Sequence, residues 1–185
     1  AVNWSTSAGS LAHASSTTDA NGEATVELTS ATTVGVATVQ ATSGAITGST
    51  TVTFAPGNAS TLTLSAAPTS IVADGSSTLT LSATVQDAHG NAVGAGTNVK
   101  WQRIAGVAGS LASVNSLTDA NGVATVVLTS GTTVGTMTVA ASVGAVNNSI
   151  IVSFTAGAAS SVAVSASPTS IEANGTSTST LSAKI

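Results

Sequence analysis

A repeat with a period of one hundred residues runs through this chain of 185 residues. From Ala8 to Phe54, 29 of 47 positions are identical to the position one hundred residues later, and from Ala55 to Val85 the number is 17 of 31. The string Thr-Asp-Ala-Asn-Gly, for example, occupies residues 18–22 and again residues 118–122. Solenoid repeats are only about 20 to 50 residues long, so this longer period indicates tandem copies of a whole domain.

The period predicts three units. Residues 1–54 correspond to the later part of a first domain, residues 55–154 to a complete domain and residues 155–185 to the beginning of a third. The connecting segments, residues 55–60 and 155–160, are short and contain one glycine each, which leaves little reach between neighbouring domains. We therefore expect consecutive domains to lie end to end as a stiff rod.

The two incomplete units are complementary, because the last unit holds the first strands of a domain and the first unit holds the remaining ones. One hypothesis is that the tail of one copy completes the head of the next, giving a head-to-tail filament by strand complementation. The alternative is that the chain is one stretch of a longer covalent array. In both cases the predicted partners are neighbouring copies of the same domain.

Composition excludes several classes of protein. Charged residues are 5% of the chain, against about 25% in typical domains. Only three cations are present, Lys100, Arg103 and Lys184, too few to neutralise the phosphates of a nucleic acid. The chain has no cysteine and no apolar run of about 18 residues, so we expect no disulfide and no membrane insertion within this segment. The Thr-rich, Lys-poor, weakly acidic composition favours an extracellular location.

Apolar residues alternate with polar ones in short stretches, and clusters of Gly, Asn, Asp and Ser separate these stretches. This pattern predicts an all-β fold, with tandem immunoglobulin-like β-sandwiches of Greek-key type and no disulfide. In the complete unit, Trp101 and Phe154 take inward positions and are the predicted structural aromatics. We expect Trp101 to pack on aliphatic side chains in place of a cystine.

The segment from Asp119 to Gly122 invites two interpretations. An Asp and an Asn beside a glycine close a tight turn through hydrogen bonds from the side chain to the backbone. Alternatively, Asp119 and Asn121, with Asp19 and Asn21 in the first unit, are candidate calcium ligands. Calcium needs about six to eight oxygens, so the turn is favoured and no metal or other cofactor is predicted.

A second loop, Asp87 to Asn91, has the same chemistry, and its lone His89 is interpreted as a solvated turn residue.

The outward strand positions of the complete unit are more hydrophobic than those of the first unit. Val123, Val127 and Ile151 stand where the first unit has a glutamate, a second glutamate and a threonine. Several exposed branched residues on one strand face suggest a face that meets a partner.

The complete unit resembles the bacterial immunoglobulin-like domain of group 1, the repeat of the invasin and intimin adhesins. The residues that carry the resemblance are Ser82–Val93, Val99–Trp101, Thr118–Ser130, Gly135–Ala141 and Val152–Phe154. The resemblance implies an extracellular array on the bacterial cell surface that holds an adhesive tip away from the envelope. It also implies a host or surface receptor as a possible partner of the whole array.

The residues bear on three classes of function. Seven carboxylates and two histidines are scattered, with no Ser-His-Asp arrangement, paired-acid site or phosphate-binding loop, so the chain is not predicted to be an enzyme. We expect a structural and adhesive array, either a stiff stalk or a fibre. The alternative is a carbohydrate- or receptor-binding module, although sugar sites usually use exposed aromatic rings and this chain has few.

Overall fold

The computed structural model describes residues 1–185 and consists of seventeen β-strands without a helix. The strands are β1 Val2–Thr6, β2 Ser10–Leu11, β3 Ser15–Ser16, β4 Leu28–Thr29, β5 Gly35–Ser43, β6 Ile46–Phe54, β7 Thr61–Ala67, β8 Ser70–Val72, β9 Thr78–Gln86, β10 Asn98–Gly106, β11 Gly109–Leu111, β12 Asn115–Leu117, β13 Val123–Ser130, β14 Gly135–Val143, β15 Val146–Thr155, β16 Ala163–Ser167 and β17 Thr180–Lys184. The all-β prediction is confirmed. No helix of the length and hydrophobicity needed to cross a bilayer occurs in the structure.

The middle part of the chain forms a sandwich of two sheets. One sheet has the strand order β12-β10-β14-β15-β8, and the other has the order β11-β13-β9-β7. The chain changes sheet at every connection from β7 to β14, and only β14 and β15 follow each other within one sheet, as in a Greek-key sandwich with crossovers between its sheets. All pairings are antiparallel except that of β8 with β15, which brings Ile71 beside Phe154.

The core lies between these two sheets because every second side chain of the central strands points inward. In β9 the inward residues Leu79, Leu81, Ala83 and Val85 are at most 3% exposed. Seventeen buried residues form one cluster, which includes both predicted aromatics, Trp101 and Phe154. Within this cluster Trp101 is surrounded mainly by aliphatic side chains.

The flanking parts of the chain form smaller sheets. Strands β3-β1-β5-β6 and β2-β4 lie within residues 1–54, and β16 pairs with β17 in a hairpin. No sheet combines strands from different predicted units. Few residues are buried in these flanking parts compared with the middle of the chain. In the first unit only Ala37, Val39 and Phe54 are buried, and no residue after Phe154 is buried. A sheet without a facing sheet leaves half of its apolar side chains exposed to water.

Candidate functional site at the junction between repeats

The loop after β9 is closed by the carboxylate of Asp87. Its Oδ1 accepts hydrogen bonds from the backbone N–H groups of His89 and Asn91, both at 2.9 Å. The backbone of Asp87 also pairs with Asn91, whose carbonyl accepts the Asp87 N–H at 2.9 Å. Aspartate is favoured in such turns because its short side chain reaches the backbone two residues on. The imidazole of His89 is exposed at the tip of this loop.

The second carboxylate oxygen of Asp87 holds the segment that joins the first and middle units. Oδ2 accepts the backbone N–H of Gly57 at 2.9 Å and the side-chain amide of Asn91 at 2.9 Å. Asp87 is only 3% exposed. Hydrogen bonds from the Asn91 side chain and from the Gly57 N–H hold the pKa of Asp87 well below its usual range. The carboxylate therefore stays charged and fixes both the loop and the linker.

Asn91 extends from this loop to the preceding unit. Its Nδ2 donates to the carbonyl of Thr32 at 2.8 Å, and its Oδ1 accepts the N–H of Val34 at 3.2 Å. Thr32 and Val34 lie in the loop between β4 and β5. A cleft of about 440 Å³ beside these contacts is lined by residues of both units. The first and middle units thus meet through specific hydrogen bonds and not through the covalent linker alone.

The predicted turn at Asp119 has the expected hydrogen bonds. Oδ1 of Asp119 accepts the N–H groups of Asn121 and Val123, both at 2.9 Å. In the first unit, Oδ1 of Asp19 accepts the equivalent N–H groups of Asn21 and Glu23 at 2.8 Å. The backbone N–H of Val123 is the main cause of the lowered pKa of Asp119. Because this oxygen faces two N–H donors, its geometry is that of a turn. No group of three or more His, Cys, Asp or Glu side chains that could hold a metal occurs in the structure.

The calcium candidates fall into two separate turns, since Asp19 and Asn21 belong to the first unit and Asp119 and Asn121 belong to the middle one.

Gly122 ends the turn at Asp119 with a φ of 73°. A Cβ atom on Gly122 would lie 2.6 Å from the carbonyl oxygen of Val85, inside normal contact distance. This position therefore needs glycine for two independent reasons.

The predicted interaction face is divided between the two sheets. Val123 and Val127 point outward from β13, whereas Ile151 points outward from β15 in the other sheet. Val127 is 42% exposed and Ile151 is 63% exposed, while Val123 is half-buried. The three side chains therefore do not form one surface. Alternation along a strand predicts that a residue points outward, but it does not say from which sheet.

The role of Asn91 across the junction is not predicted from the sequence, where residues 87–91 have only the chemistry of a turn. One signal is the presence of an Asp, a Gly and an Asn in this loop directly after a strand. A second signal is the string Thr-Thr-Val, which occurs unchanged at 32–34 and 132–134 outside the strands. Neither signal shows that the two loops meet, because they are 57 residues apart in the chain.

The family model described as invasin, domain 3, matches residues 58–157, more than half of the chain. The chain belongs to this family. Its immunoglobulin-like fold is that of the invasin and intimin type, as the sequence predicted. Among proteins with curated descriptions, none matches this member of the invasin domain 3 family at a significant level.

Solved structures similar to this invasin-type chain include InvD and invasin. InvD of Yersinia pseudotuberculosis is 25% identical with a TM-score of 0.65, and 90% of this chain covers 52% of InvD. Invasin, described as a bacterial integrin-binding protein, is 31% identical with a TM-score of 0.58, and 97% of this chain covers 37% of it. The chain therefore spans about half the length of InvD and less of invasin.

Proposed function

We propose that this chain is part of a structural and adhesive array of immunoglobulin-like domains on the outer surface of a bacterial cell. Its role is that of a stiff stalk, which holds an adhesive part of the array away from the cell. The observation that carries this proposal is the junction at which Asn91 is hydrogen-bonded to Thr32 and Val34. A junction with fixed contacts restricts the angle between successive domains, whereas a linker alone would let that angle vary.

Membership of the invasin domain 3 family and the likeness to invasin support this role. The division of the chain into units at 1–54, 55–154 and 155–185 belongs to the same proposal. Each complete domain would resist a pulling force through its antiparallel ladders and through the buried cluster between the sheets. Neighbouring copies of the domain are the partners proposed for this segment.

The aromatic side chains favour the structural role over a sugar-binding one. Trp101 and Phe154 are each 2% exposed, so neither ring is available to stack on a carbohydrate. The remaining tryptophan, Trp4, is half-buried. We also propose no catalytic activity, since the lowered pKa values belong to aspartates that hold turns and linkers. Recognition of a receptor is assigned to other parts of the array.

Small-angle X-ray scattering of the whole chain tests the stalk. We expect a rod-like scattering profile, with a cross-section equal to that of one sandwich and a length that increases with each added repeat. A profile typical of a flexible string or of a compact globule would contradict the stalk. Antibody labelling of intact, unpermeabilised source cells tests the location separately, and labelling only after permeabilisation would contradict it.

A further inference from the structure

The middle unit contains a second copy of the loop that Asn91 contacts, and this copy has no asparagine bound to it. Thr132 to Val134 is identical in sequence to Thr32 to Val34 and lies at the equivalent place, before β14. In the first unit the N–H of Val34 donates to Asn91, whereas the N–H of Val134 makes no hydrogen bond within the chain. Val134 is also more exposed, at 58% against 40% for Val34.

We propose that the loop Thr132 to Val134 is a docking site for another copy of this domain, which presents an Asp87–Asn91 loop to it. The side-chain amide of the incoming asparagine would bond the Thr132 carbonyl and the Val134 N–H, as Asn91 bonds Thr32 and Val34. Every junction would then have the same two hydrogen bonds and the same angle. This inference rests on the proposed stalk and names the contact that sets its geometry.

The chemistry of Asn91 explains why an amide is needed. A primary amide has one acceptor oxygen and two N–H donors, and the facing loop offers one carbonyl and one N–H. The two Nδ2 contacts of Asn91 go to Thr32 O at 2.8 Å and to Asp87 Oδ2 at 2.9 Å. Asp87 therefore fixes the orientation of the amide so that Oδ1 faces Val34. An aspartate in place of Asn91 would put a carboxylate against the carbonyl oxygen of Thr32 and Oδ2 of Asp87.

The linker supports the same repeating contact. Asp87 Oδ2 also accepts the N–H of Gly57, which holds the linker beside the loop that reaches across. The equivalent linker position after the middle unit is again glycine, Gly157. Asp87 and Asn91 thus act as positioning residues, and the partner they fit is the Thr-Thr-Val loop of an adjoining copy.

Amide hydrogen exchange measured by NMR on the whole chain tests the existing contact. We expect the N–H of Val34 to be protected, and Asn91→Ala to speed its exchange about tenfold, as loss of one hydrogen bond predicts. Asn91→Asp should have at least the same effect. The matched control is Asn121→Ala, because Asn121 bonds only within its own turn. An unprotected Val34 in the unmodified chain, or equal exchange in Asn91→Ala, would overturn the inference.

A chain with a duplicated middle unit tests the docking site proposed at Thr132 to Val134. In it, residues 1–154 are followed directly by residues 55–185, so that a second complete domain adjoins Thr132 to Val134. We expect the N–H of Val134 to become protected, and Asn91→Ala in the second copy alone to remove that protection. Free exchange of Val134 in the duplicated chain would refute the docking site. A rod-like scattering profile in that case would leave the proposed stalk intact, so the two failures are distinguishable.

Discussion

The indole Nε1 of Trp101 donates a hydrogen bond to Ser116 Oγ at 2.8 Å, which joins the central strand β10 to the edge strand β12. The first unit repeats the contact between Trp4 and Ser16 at 2.9 Å. Trp101 itself is 2% exposed and lies in the main cluster of the sandwich. The residue therefore combines core packing with a polar link to the sheet edge.

Replacement of Trp101 should destabilise the complete domain strongly. We expect Trp101→Ala to lower the free energy of unfolding by about 3 to 5 kcal/mol, because it leaves a large cavity between the sheets. Trp4→Ala is the matched control and should cost much less, since Trp4 is only half-buried. Urea denaturation of the whole chain, followed by circular dichroism, measures both changes. Equal losses for the two variants would contradict this assignment of the core.

Gly122 should be less tolerant of substitution than Gly144. Both have a positive φ, 73° and 57°, but a Cβ atom on Gly122 would collide with the Val85 carbonyl, whereas Gly144 has open space around it. We expect Gly144→Ala to cost about 1 kcal/mol from backbone strain alone, and Gly122→Ala to cost clearly more. Thermal unfolding of the two variants gives the comparison. A smaller loss at Gly122 than at Gly144 would show that the turn can move away from Val85.

The stability of the complete domain should fall in acid because of Asp87 and Asp74. Asp74 accepts hydrogen bonds from Ser76, Ser77 and Ser130, and the pKa values of both aspartates lie below their usual range. A carboxylate whose pKa is lowered in the folded state contributes stability that is fully present above the unfolded-state pKa of about 3.9. This contribution to the free energy of unfolding is lost as the pH falls through the folded-state pKa. We therefore expect a constant free energy of unfolding above about pH 5 and a decline below about pH 4.

The third unit supplies the control for the acid effect. Asn174 stands where the middle unit has Asp74 and accepts hydrogen bonds from the N–H groups of Thr176 and Ser177 at 2.9 and 2.8 Å. Asp74→Asn should therefore keep the turn and make the decline below pH 4 shallower. Urea denaturation at a series of pH values measures this slope. An unchanged slope in both Asp74→Asn and Asp87→Asn would mean that these carboxylates do not cause the acid sensitivity.

Calcium should leave the turns at Asp119 and Asp19 unchanged. Oδ1 of Asp119 already accepts two N–H groups, and one Asp with one Asn cannot supply the six to eight oxygens of a calcium site. We expect no saturable shift of the Asn121 and Val123 amide resonances when calcium is raised to about 1 mM, the range of weak extracellular sites. A shift that saturates in the unmodified chain and disappears in Asp119→Ala would establish a metal site.

The strands and turns could be predicted because their signals are local. Alternation in β9, from Leu79 to Val85, and the Asp119 turn each depend on residues within a few positions of one another. The short strand β8 gave no such signal, since three residues cannot show a period of two. Its parallel pairing with β15 depends on contacts between positions about eighty residues apart. Loop closure over that distance leaves no local pattern in the sequence.

The amino-acid sequence alone determined the repeat, the all-β class, the inward aromatics and the family resemblance, because identity, alternation and turn chemistry are properties of neighbouring residues. Tertiary structure decided which sheet each strand joins, and so it separated Ile151 from Val127. It also brought Asn91 to Thr32 and Val34. Such contacts depend on how two folded units are placed in space, and that placement is set by packing and linker geometry over the whole chain.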